Sequence, residues 1–152
     1  MIFAHLKTSF RETFPARASE WALSGMLMGW SVILTINEDL FATGASYAKM
    51  AELADQETWA TLCLYAAALR LLMLLVNGAW RRSPHLRALG AFIACGFWFQ
   101  ITIGFIQAGT VSTGLAVYPF LLLLDSYNAV RAAGEAGLSD KVHKRAGHGI
   151  HK

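Results

Sequence analysis

Two long apolar runs, residues 59–80 and 86–107, follow one another with only a short break between them. The break reads Trp80-Arg81-Arg82-Ser83-Pro84-His85-Leu86-Arg87. Each run is long enough to cross a hydrocarbon core of about 30 Å at about 1.5 Å per residue. An aromatic stop, a positive cluster and a proline between two lipid-soluble segments predict a helical hairpin that turns at the cytoplasmic surface of a membrane. Few chains with this feature can fold as a soluble domain. Charged residues make up only 15% of the chain, below the roughly 25% of soluble domains, and they gather in short stretches between uncharged runs.

Two further spans complete the pattern. The first covers about residues 18–36, with its apolar core at residues 21–36. It carries a Gly25-x-x-x-Gly29 pair, a spacing that lets another helix approach closely. The fourth covers about residues 110–128 and contains Pro119, which predicts a kink. The expectation is an all-α integral membrane protein with four transmembrane helices in two antiparallel hairpins. It forms one domain over residues 1–133, followed by a polar, flexible cytoplasmic tail over residues 134–152. Residues 1–20 read either as an amphipathic interfacial helix or as a frayed start. The first apolar run has no Ala-x-Ala-type site after it and reads as a retained span rather than a removed signal.

Orientation follows from the basic residues. Lys7, Arg11 and Arg17 precede span one, and Arg81, Arg82 and Arg87 join spans two and three. Arg131, Lys141, Lys144, Arg145 and Lys152 follow span four, while the two remaining connections hold only Lys49. The positive-inside rule then places both termini and the basic elbow in the cytoplasm. There the elbow arginines are expected to sit near anionic head groups, setting orientation without a catalytic part. The net charge of +3 is accordingly a membrane feature and not a nucleic-acid signal.

Arg70 and Asp125 are the ionisable residues read as lying well within spans, and an intramembrane charge costs at least about 2.5 kcal/mol at a helix centre. On a helical projection Cys63, Ala66, Ala67, Arg70 and Asn77 share one face of span two, opposite Leu64, Leu71, Leu72 and Leu75. Gly114, Tyr118, Leu121, Asp125 and Asn128 share one face of span four. Gln100 lies on the more polar stripe of span three, with Ile93, Gly96, Ile103, Gly104 and Gln107. The polar faces of spans two and four can meet in an Arg70–Asp125 pair. As a pair, or as two separately satisfied groups, they only fix helix register; the alternative is an ion or proton path.

Other features point to no chemistry. Cys63 and Cys95 lie in apolar runs and read as core packing. The loop at residues 37–58 holds Glu38, Asp39, Glu52, Asp55 and Glu57 without metal-ligand spacing, and reads as a solvated face whose residues 45–53 can form a surface helix. His143, His148 and His151 stand in a glycine-containing tail that does not preorganise a metal. No nucleophile–base pair, phosphate loop or zinc motif appears, so neither an enzyme, a cofactor nor a metal is expected.

The segment from Arg70 through Asn77-Gly-Ala-Trp-Arg-Arg-Ser-Pro-His-Leu-Arg87, with Ala88-Leu-Gly-Ala-Phe92, Tyr118-Pro119 and Tyr127-Asn128-Ala-Val-Arg131, resembles small transmembrane proteins encoded by phages and prophages of proteobacteria. The resemblance covers roughly the second half of the chain. It implies an inner-membrane setting, or a phage particle that carries a membrane-active protein, and names no activity. The chain differs from common holins, which have fewer spans, and from small multidrug transporters, whose first span carries a glutamate. Two functions are expected from these readings. One is assembly with itself or with a larger membrane or phage complex. The other is a holin-like or ion- or proton-conducting pore using Arg70, Gln100, Tyr118 and Asp125.

Overall fold

The computed structural model describes the backbone over residues 2–79 and 84–148 and the side chains over residues 17–76 and 84–142. It is all-helical, with no strand among the described residues. The elements are α1 (Ile2–Ile36), α2 (Leu40–Thr43), a 3-10 turn (Ala45–Tyr47), α3 (Ala48–Ala51), α4 (Gln56–Ala79), α5 (Pro84–Gln107) and α6 (Gly114–His148). Gln56–Val76 and Pro84–Gln107 are long and apolar enough to cross a membrane, with mean hydropathies of 1.9 and 1.8. The elbow residues Arg81 and Arg82 lie outside the described residues, as does the side chain of Asn77.

Four long helices pack together. α1 lies along α4 and α5 along α6, with α4 also touching α5 and α6 touching α1. The core joins Leu23, Leu27 and Leu34 of α1 to Cys63, Ala66 and Ala67 of α4, Ala94, Trp98, Ile101 and Phe105 of α5, and Leu121 of α6. Small residues on α4 and α5 let the helices approach, and the large ones fill the space between them. Cys63 is buried in this core and both cysteines are free thiols. The faces of α4 divide as the helical projection predicts: Cys63, Ala66, Ala67 and Arg70 are buried, while Leu64, Leu72 and Leu75 are exposed.

Three expectations need correction. Residues 2–20 are neither a separate interfacial helix nor a frayed start, because α1 runs unbroken from Ile2 into the apolar run. Residues 134–148, expected as a polar tail, continue α6 as helix to His148. Ala132 and Ala136 are buried there, and Glu135 and Asp140 bond to side chains of α5, so tertiary contacts hold a segment of glycines and charges in helical form. Gly96 and Gln100 of the expected α5 stripe face outward while Gly104 is buried, and the buried face also holds Ala91, Ala94, Trp98, Ile101 and Phe105. Packing of small and aromatic residues orients this helix, and one polar amide does not outweigh it.

The connection between α1 and α4 folds back onto the bundle instead of lying on its surface. Met50 of α3 is fully buried and seats over Gly104 of α5, where a Cβ would collide with its Cγ. Trp59 Nε1 donates to the Met50 carbonyl at 3.1 Å. Gln56 ties the ends together: its Nε2 donates to the carbonyls of Leu34, at 2.7 Å, and Asn37, and its Oε1 accepts from Phe41 N–H at 2.8 Å. The turn between α5 and α6 closes at Gly109, whose φ of 68° suits a residue without a Cβ. Pro119 lies inside α6 and does not end it.

Candidate functional site: a buried ion-pair ladder

α6 carries Asp125, Asn128, Ala132 and Glu135 at spacings that keep them on one face. Opposite this face stand α1, α4 and α5, and each supplies a partner. Arg70 of α4 meets Asp125 in a two-pronged pair: Nη1 donates to Oδ2 at 2.7 Å and Nη2 donates to Oδ1. Both residues are buried, at 2% and 0% exposure, which seals the pair from water. A planar guanidinium matches the two carboxylate oxygens in this geometry, which a lysine could not reproduce. Gly90 of α5 packs against this part of α4: a Cβ there would press on Met73 Sδ at 3.0 Å and touch Arg70 Cγ at 3.5 Å.

One turn further along α6, Asn128 is fully buried and its Oδ1 accepts from Ser19 Oγ of α1 at 2.9 Å. Beyond it Arg87 of α5 grips two carboxylates at once. Its Nε and Nη2 donate to Glu20 of α1 at 3.2 and 2.5 Å, and its Nη1 donates to Glu135 of α6. Glu20 and Arg87 are both buried. Arg131 adds a second, more exposed cation, with Nε 3.4 Å from Glu135. From Asp125 to Glu135 the ladder rises about 15 Å along α6, about half the thickness of a hydrocarbon core. Among the described residues Arg70, Arg87 and Arg131 face Asp125, Glu20 and Glu135.

The other half of the interior is aromatic. Trp30 Nε1 donates to Tyr118 Oη at 3.0 Å. Tyr118 also packs against Phe105, with ring centroids 4.7 Å apart, and against Trp98 at 6.4 Å. Tyr47 of the 3-10 turn meets Phe105 edge-on at 5.1 Å, and burial raises its phenol pKa above the ordinary value. Gly114 leaves room for this cluster, since a Cβ would come within 2.6 Å of the Phe105 ring. Together these rings cap the ladder.

The sequence-predicted residues are distributed as follows. Arg70, Asp125 and Tyr118 face the interior, with Arg70 and Asp125 joined and Tyr118 in the aromatic cap. Gln100 is exposed and belongs to neither. Gly25 and Gly29 are exposed, with nothing within 4 Å of an added Cβ, so they mediate no close approach inside the chain. Arg87, expected at the head groups, is buried: α5 turns it inward because Glu20 and Glu135 await it there. Glu20 and Glu135 were not singled out from sequence. Glu20 had a signal, as an acid immediately before the first apolar run, next to Trp21. No family model, curated protein or solved structure matches the chain. Among the described residues no group of three or more histidine, cysteine or acidic side chains is arranged to hold a metal ion.

Proposed function

We propose that the chain is a multi-pass protein of a bacterial inner membrane, with four spans in two antiparallel hairpins and both termini cytoplasmic. In this reading it works without catalysis, by helix–helix assembly with copies of itself or as an accessory subunit of a larger membrane or phage complex. The sealed Arg70–Asp125 pair carries the reading. Its charges satisfy each other, which holds α4 and α6 in register, and Tyr118 and Phe105 pack above it. Large apolar side chains project from all four long helices, including Ile33, Leu72, Phe92, Phe120 and Val130, which suits lipid or a partner helix. Gly25 and Gly29 offer such a partner a bare backbone stripe.

Crosslinking in native membranes tests this. Discrete oligomers or one stable partner are expected, and Gly25→Leu with Gly29→Leu should weaken them. A protein that remains monomeric and copurifies with nothing removes the reading. A conducting function has one observation in its favour, the length of the ladder along α6. It requires that expression depolarise cells and that Asp125→Asn or Arg70→Leu abolish the effect; an unchanged membrane potential leaves assembly as the function.

A further inference from the structure

A cavity of about 540 Å³ opens between α1 and α4, away from the ion ladder and beside the acidic loop. Small-ligand sites span about 300–1,000 Å³. Leu34, Ala60 and Leu64 give it an apolar wall, and Glu38 and Glu57 line it with carboxylates. No residue lining the cavity is basic. The nearby Lys49 is engaged with Glu52 at 2.7 Å.

Three side chains of the lining already donate elsewhere. Ser31 Oγ donates to the Ala60 carbonyl at 2.7 Å, and Thr35 Oγ1 donates to the Ser31 carbonyl at 3.0 Å. Gln56 Nε2 donates to Leu34 and Asn37. At the start of α4, Asp55 Oδ1 accepts from Thr58 N–H at 2.7 Å, which caps one of the first-turn donors. What these groups still offer a ligand is therefore acceptors: hydroxyl lone pairs and two carboxylates. The cavity lies between the C-terminal end of α1 and the N-terminal turns of α4, so the two helix dipoles oppose and the carboxylates set its charge. Two carboxylates with no basic residue beside them select a cation, and the apolar wall selects a hydrocarbon portion beside the charge.

We propose that this cavity binds an organic ammonium carrying an apolar tail, its charge taken by Glu38 and Glu57 and its tail laid on Leu34 and Leu64. Either a free amphipathic amine or the head group of an aminophospholipid has this chemistry. The site is independent of the assembly reading, since it lies within one copy of the chain and needs no partner.

Hexyltrimethylammonium titrated calorimetrically into the full chain in maltoside micelles tests the proposal. Glu38→Gln with Glu57→Gln should lower affinity by about tenfold or more, because each charge contact is worth on the order of a tenfold change in binding. Asp39→Asn with Glu52→Gln removes the same formal charge outside the cavity and should leave affinity within about twofold. Tetramethylammonium should bind more weakly than the hexyl compound, and hexyl sulfate should not bind. Displacement of the probe by phosphatidylethanolamine assigns the site to a lipid head group, and failure to displace assigns it to a free amine. Equal affinity in the cavity variant and the wild type overturns the proposal. So does an equal loss in the control variant, which would show only a general negative field. Unchanged thermal unfolding of both variants separates a lost site from a lost fold.

Discussion

The two halves of the interior reach burial by opposite means. Toward the chain ends, α6 lines up Asp125, Asn128 and Glu135 against Arg70, Ser19 and Arg87. Toward the acidic loop, Trp30, Tyr47, Trp98, Phe105 and Tyr118 fill the same space with rings. The charged half tolerates few arrangements, because a guanidinium shifted by one turn loses its carboxylate and stands alone in an apolar medium. The aromatic half draws its energy from area and contact, which degrade gradually when one ring changes. The comparison therefore predicts where the molecule is brittle.

The largest expected effect comes from splitting a buried pair. Asp125→Leu strands Arg70 and should cost about 3–5 kcal/mol of stability, measured by reversible unfolding in mixed micelles. Adding Arg70→Met should recover most of that loss. If the double variant is no better than the single one, the pair does not behave as a unit and the contrast between the halves fails.

Gly104→Ala probes the junction where α3 seats on α5. A Cβ there collides with Met50, and the overpacking should cost about 1–3 kcal/mol. Met50→Ala in the same chain should relieve the clash, so the double variant should be less destabilised than the two single losses added together. Strict additivity would show that the two residues do not touch.

Tyr118→Phe sharpens the comparison from the aromatic side. It removes the acceptor for Trp30 Nε1 and keeps the ring, so a loss of about 1 kcal/mol is expected. A loss as large as that of Asp125→Leu would mean that the aromatic half is equally brittle.

The smallest effect belongs to the surface at Asp55. Its hydrogen bonds to the Thr58 side chain and Thr58 N–H hold the carboxyl below the ordinary carboxylate value. A carboxyl depressed in the folded state stabilises above its unfolded pKa, and that contribution disappears as pH falls through the depressed folded value. Unfolding followed from about pH 7 to about pH 3 should show a small acid-side loss in the wild type. The loss should shrink in Asp55→Asn, which keeps the accepting oxygen and removes the titration. An unchanged pH profile would take Asp55 out of the account.

The sequence by itself determined what each helix does about its own axis. Periodicity placed Cys63, Ala66, Ala67 and Arg70 on one face of α4, and Tyr118, Leu121, Asp125 and Asn128 on one face of α6. Hydropathy marked α4 and α5 as long apolar segments, and the cost of burying a charge in lipid singled out Arg70 and Asp125. Only the tertiary structure decided how those faces meet. It joined Glu20, Arg87 and Glu135 from three helices, turned Gln100 outward, left Gly25 and Gly29 bare, and extended α6 to His148. The physical reason is that a helical pattern fixes angles about one axis only. The rotation and axial shift of one helix against another depend on the whole set of side chains packed between them, and Arg87 found its carboxylates through that set rather than through its neighbours in the chain.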